Sequence, residues 1–321
     1  MRTMGVKEKI MDITTIIIGL LIVLLIGYTA FFAYDLIKHK DEFEGDTSWW
    51  KTGAIGALVN FFDPLGIGAF APQTALLKFT KQTRDKLIPG TMNVANCIPV
   101  LLQALIFTTV VKVEAWTLVV MLAAAMLGAV LGAGVVSRMS EKKIRLVMGF
   151  ALACTACIML ASLLKFMPIG GDAIGLAGGK LVIAGIVNFI LGALMTAGVG
   201  LYNPCMVLVY LLGMSPDVAF PIMMGSCAFL MPPASVKFIK EGAYNRKSAL
   251  SMAIFGSIAT LVASLLIKSL PLDVLKWIVV CVTVYTSTVM LRAGFSKVTE
   301  HTAAAKAEAV EIVVFSVVLF E

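Results

Sequence analysis

Two short stretches decide how this chain must fold: Gly66-Ile67-Gly68-Ala69-Phe70-Ala71-Pro72 and Gly198-Val199-Gly200-Leu201-Tyr202-Asn203-Pro204. They stand in one register, 132 residues apart, and each interrupts an apolar run. The same shift pairs Asp85 with Asp217, Pro89 with Pro221 and Met92 with Met224, while a shift of 131 pairs Ile144 and Arg145 with Leu275 and Lys276. Isolated glycine matches are common in apolar helices, but so many in one register indicate an internal duplication.

The runs around these stretches belong to a membrane. Hydrophobic residues make up 60% of the 321, charged residues 14%, and mean hydropathy is +0.96. Soluble domains carry roughly 25% charged residues. Residues 13–34, 116–136 and 249–267 are each about 20 residues long with almost no charge. At 1.5 Å per residue such a run spans a hydrocarbon core of about 30 Å. The fold class is therefore an all-α polytopic membrane protein.

The net charge of +7 is no nucleic-acid footprint, because Lys and Arg lie in short loops without interleaved aromatic residues. The six cysteines, 97, 154, 157, 205, 227 and 281, fall in apolar segments and read as buried, inert thiols. No metal or cofactor motif is present. The first apolar run is too long for a signal h-region and reads as a retained helix.

The organisation expected is an N-terminal transmembrane helix (1–35), a polar connector (36–52), a first repeat (53–165), a Gly-rich linker (166–179), a second repeat (180–292) and a tail (293–321). Each repeat holds one broken segment followed by three apolar segments. The apolar stretch 312–320 is too short to span.

Loop charge bears on topology. If both broken segments cross fully, the 26 Lys and Arg divide evenly between the two sides. If each dips in and returns, 18 fall on one side against 8 on the other. This favours re-entrant hairpins. Each repeat then has three crossings, an odd number, so the two repeats are inverted.

A chain that leaves helical geometry inside hydrocarbon exposes N–H and C=O groups, and it survives only where protein or a wet cavity covers it. The sequence predicts that Pro72 and Pro204 open half-helices at their first positions, with Asn203 as an N-cap. Free N–H donors and the positive dipole ends would then make an anion cradle. The candidate substrate-binding set is Gly66, Gly68, Pro72, Gln73, Gly198, Gly200, Tyr202, Asn203, Pro204 and Cys205, with Asn93, Asn96 and Ser226 from following spans. Asn93 and Asn96 share a helix face, and serve either a substrate or interhelical bonding. Asp63 is the coupling candidate, as a proton relay or as a plain Asp-Pro turn. Lys237 reads as snorkelling to the surface.

The doubled pattern Gly56…Gly66-Ile67-Gly68…Pro72 and Gly192…Gly198-Val199-Gly200…Pro204, with Lys240-Glu241-Gly242-Ala243-Tyr244 later, resembles the TauE/SafE sulfite exporters of the toluene-sulfonate uptake permease group. The resemblance covers residues 53–291. It implies a bacterial or archaeal inner-membrane carrier of sulfite, an organosulfonate or a related small anion, with the lipid bilayer as its other partner and proton or sodium coupling open. Members typically carry a denser glycine run where this chain has Phe70 and Tyr202, which puts the substrate in question. A membrane thiol–disulfide electron carrier is the rival class. It would want symmetric Pro-Cys pairs, whereas Cys205 after Pro204 is matched by Gln73 after Pro72. A passive anion channel is a second rival.

Overall fold

The computed structural model describes residues 2–65, 68–107, 113–166, 170–198, 200–266 and 272–295. Gly66, the Asn203 side chain and the apolar stretch 312–320 lie outside them. The described residues form α1 (Arg2–Lys38), α2 (Trp49–Phe62), α3 (Phe70–Phe79), α4 (Ile88–Phe107), α5 (Ala115–Val136), α6 (Glu141–Leu163), α7 (Gly179–Met195), α8 (Tyr202–Leu211), α9 (Pro216–Lys240), α10 (Arg246–Leu266) and α11 (Leu272–Phe295). Among the described residues six helical stretches are long and apolar enough to cross a membrane, and the fold is all-helical and polytopic.

Both expected interruptions are present. Between α2 and α3 lies a 3-10 turn at Asp63–Leu65, then Gly68 at φ +82°. Between α7 and α8 lies Gly198 at φ +101°. These dihedrals are strained for any residue with a Cβ, so glycine at 68 and 198 is what lets the helix stop and restart.

Packing is organised about α4 and α9. Their apolar windows are 83% and 72% buried, against 17% for α1. They run antiparallel: Gly90 abuts Phe238 and Ala243, while Ser235 Oγ donates to Asn93 O at 2.9 Å. The pair α6 and α11 is antiparallel too, with Gly149 against Leu291 and Leu146 against Gly294. α2 packs on α10 and α7 on α5; α4 packs on α10 and α9 on α5; α3 meets α11 and α8 meets α6. Exchanging α2–α6 with α7–α11 leaves this set of pairings unchanged. The odd element is α1, which leans on α4 and α9.

The chain on either side of each break is also drawn together. Thr47 Oγ1 donates to Gln82 O at 3.0 Å, and the Ser48 N–H donates to Gln82 Oε1 at 2.7 Å, so the start of α2 lies beside the end of α3. Lys180 Nζ, at the start of α7, donates to Leu212 O beyond α8 at 3.2 Å.

α1 runs from Arg2 to Lys38. One sequence reading needs correction here. Of the six cysteines, only 97, 205 and 227 are buried; Cys154, Cys157 and Cys281 sit on helix surfaces. An apolar segment in lipid has an outer face, and a thiol on that face is apolar enough to stay there.

Candidate functional site

The two interruptions meet. Gly68, Ala69, Phe70 and Ala71 from the first, and Gly200, Leu201 and Tyr202 from the second, line one cavity of about 30 Å³. Asp63, Asn96, Val100, Thr155, Met195 and Cys227 complete the wall. A water needs roughly 10–15 Å³ by this measure, so the cavity has space for about two.

The helix starts fall earlier than the prolines suggest. Ala69 and Leu201 are the N-caps, and their carbonyls accept from Gln73 N–H and Cys205 N–H, each at 3.0 Å. Pro72 and Pro204 are therefore third residues of their helices rather than first, and Asn203 is the second residue of α8 rather than its cap. The physical point survives this shift. The first turn of a helix has no intrahelical acceptors, so a proline anywhere in it loses nothing. The amides of residues 70, 71, 202 and 203 belong to those first turns, at the positive ends of α3 and α8.

Asp63 spans the first break: its Oδ1 accepts from Ala69 N–H at 2.7 Å, tying the end of α2 to the cap of α3. It is the one carboxylate among the described lining residues, which include no Lys, Arg or His. Positive potential at the cavity must come from backbone amides and helix ends.

Asn96 is held by a chain of amides. Asn60 Nδ2 donates to Asn96 Oδ1 at 3.0 Å, Asn96 Nδ2 donates to Gln73 Oε1, and Gln73 Nε2 lies 3.1 Å from Met252 Sδ. An amide nitrogen has two protons, so Asn96 keeps one for the cavity it lines. Tyr202 Oη donates to Gln103 Oε1 at 3.1 Å.

Of the residues expected at the site, Gly68, Asn96, Gly200, Tyr202 and Asp63 line the cavity. Gln73 stands one hydrogen bond behind Asn96, and Cys205 is buried in the first turn of α8. Asn93, Ser226 and Gly198 face elsewhere. Asn93 Nδ2 donates to Pro89 O at 2.8 Å and to Thr196 O at 3.5 Å. Ser226 Oγ accepts from Asn188 Nδ2 at 3.1 Å, and Gly198 faces Met92 and Met148. Spacing of three puts Asn93 and Asn96 on one side of α4 without giving them the same neighbour.

Val100, Thr155, Met195 and Cys227 were not singled out from sequence. The 132-residue register of the two glycine–proline stretches points to Met195, since adding 132 to Asp63 lands there. No local pattern marks Thr155, which reaches the cavity only because α6 packs on α8.

No curated protein and no solved structure matches the chain. The family description "Sulfite exporter TauE/SafE" matches residues 6–159, which run from α1 almost to the end of α6. With two helix breaks, six candidate spans and this match, the chain belongs to the TauE/SafE sulfite exporter family and is a membrane transporter rather than an enzyme.

Proposed function

We propose that the chain is a secondary carrier of a small anion, sulfite or a compact sulfonate, bound between the first turns of α3 and α8. One observation carries this reading: residues from both helix breaks line the same buried cavity. Two dipole ends and their unshared amides favour negative charge there, and the enclosing apolar walls make each donor count for more than in water. The cavity is small, which favours a compact guest and asks the walls to part for a larger one.

The repeats, 53–165 and 180–292, are inverted in this reading. Two helices that run antiparallel, α4 and α9, are at corresponding places in the two halves, as are α6 and α11, and parallel repeats would not produce that. Each broken segment is a re-entrant hairpin, supported by the bonds from Thr47 and Ser48 to Gln82. The ion pairs Arg145–Asp85, Arg138–Glu241 and Arg246–Asp35 gather the basic loops at one end of the bundle. The positive-inside rule makes that end cytoplasmic in an inner membrane. Alternating access follows from rocking of one half against the other about the cavity. Its lining side chains Asp63, Phe70, Asn96, Leu201 and Cys227 are buried, as suits an occluded state rather than an open pore.

Reconstitution in liposomes tests the proposal, with sulfite, sulfate, thiosulfate, sulfoacetate and small carboxylates offered in turn. Saturable uptake of at least one small anion is expected. Linear, unsaturable flux would mean a channel, and no flux of any anion would remove the proposal.

A further inference from the structure

Asp63 and Met195 occupy corresponding places in the two halves, and both line the cavity. Their chemistry differs. Asp63 is 4% exposed and lays Oδ1 against Ala69 N–H at 2.7 Å. Met195 offers a thioether, 3.8 Å from Cys227 Sγ. So α3 reaches the cavity with a carboxylate already on its N-terminus, and α8 does not.

We infer that Asp63 is a tethered competitor for the anion site, so that each monovalent anion moves together with one proton held on Asp63. The inference rests on the anion-carrier reading and specifies its coupling. Each helix N-terminus is equivalent to about +0.5 of a charge, so two supply about +1. An ionised Asp63 cancels this. Adding a monoanion then leaves an uncompensated negative charge in an enclosed site, where burial of unpaired charge is most costly. Protonating Asp63 restores neutrality. It also converts an acceptor-only carboxylate into a group with one donor to offer the guest.

No neighbouring group replaces that proton. Tyr202 of α8 and Cys227 of α9 are the other titratable side chains of the lining, and neither becomes positive on protonation. α4 contributes Asn96 and Val100, α6 Thr155 and α7 Met195, all uncharged. α10 packs on the turn that holds Asp63, but its basic residues Arg246 and Lys247 are at its start. They stand roughly 21 Å of helix, at 1.5 Å per residue, before Thr260, which donates to Asn60 O.

The test uses the full chain in liposomes with a trapped pH dye and two probes, sulfite and methanesulfonate. Methanesulfonate stays a monoanion throughout the working range, so its pH response reports the protein. One proton should accompany each methanesulfonate, and an imposed potassium–valinomycin potential should not change the rate. Above the titration of Asp63, apparent affinity should fall about tenfold per pH unit, the slope for one linked proton. Asp63→Asn keeps an oxygen for Ala69 N–H and loses the titration. Its uptake should be flat with pH, carry no proton and respond to potential. If that variant does not fold, the wild-type proton count and potential response decide alone. Methanesulfonate uptake by the wild type that moves charge without protons, or proton coupling that survives in Asp63→Asn, overturns the inference while leaving a carrier. No uptake of either probe at any pH would sink the carrier reading itself.

Discussion

Tyr244 donates its hydroxyl to Asp35 Oδ2 at 2.5 Å, joining the last turns of α1 to the loop between α9 and α10. Arg246 Nε reaches the same oxygen at 3.2 Å, and His39 Nδ1 lies 3.2 Å from Asp35 Oδ1. This knot fastens α1, which stands outside the pairings that α2–α6 and α7–α11 share. It is set at the basic end of the bundle, against helices that pack about the central seam.

Tyr244→Phe removes one buried bond to a charged acceptor and should cost about 1.5–3 kcal/mol, read from thermal unfolding in detergent. Burial, then the Asp35 carboxylate, hold the Tyr244 hydroxyl protonated well above the ordinary tyrosine range. A group with a raised folded pKa contributes fully below its unfolded value and loses that contribution as pH rises. The wild type should therefore lose stability above about pH 10, where free tyrosine ionises. Tyr244→Phe should lack the part of that loss due to this residue. Equal melting of the two proteins at neutral pH would show that the knot holds nothing.

Glycines set the crossings that bring α7 against α5 and α2 against α10. A Cβ at Gly192 would strike Ala125 O, and one at Gly128 would strike Phe189 O; both obstacles are backbone, which cannot swing aside. At Gly56, on α2, the obstacle is Met252 Cα at 2.5 Å. Gly192→Ala should lower stability by about 1–3 kcal/mol through overpacking. Gly19, which has open space around it, should tolerate alanine. The comparison of the two melting curves checks the claim.

The breaks were legible because glycine and proline inside an apolar run leave few alternatives, and the shared 132-residue register made each break vouch for the other. Helix membership followed from run length alone. The exact caps were not legible. Pro72 and Pro204 are tolerated anywhere in a first turn, so they mark the helix start only to within two residues, and Ala69 and Leu201 cap without a side-chain signal. The far wall of the cavity was equally hidden. Thr155 lies in an ordinary apolar helix, and only the packing of α6 against α8 gives it a place there.

Gly198 and Gly200 separate folding from transport. Gly198 holds φ +101° with Met148 Cε 3.2 Å from any added Cβ, so Gly198→Ala should destabilise by about 1–2 kcal/mol. Gly200 has nothing within 4 Å of an added Cβ and lines the cavity. Gly200→Val should fold, melt within about 0.5 kcal/mol of wild type, and lose anion uptake because its side chain takes the space of the guest. Unchanged uptake by Gly200→Val would show that the cavity is not on the transport path.

Thiols give the sharpest separation from an electron carrier. Such a protein must form and break a disulfide, which requires two sulfurs to come within bonding geometry during each turnover. All six cysteines here are free, and buried Cys227 has Met195 Sδ as its hydrogen-bond partner at 3.8 Å. A chain with all six replaced by alanine should lose roughly 1 kcal/mol for each of the three buried thiols, since a small apolar group is removed from a packed site. It should still show saturable anion uptake. Cys227→Ala alone trims the cavity wall by one sulfur, so methanesulfonate should gain on sulfite in a competition assay. Loss of all uptake in the folded cysteine-free protein would mean that thiol chemistry, not helix ends, does the work.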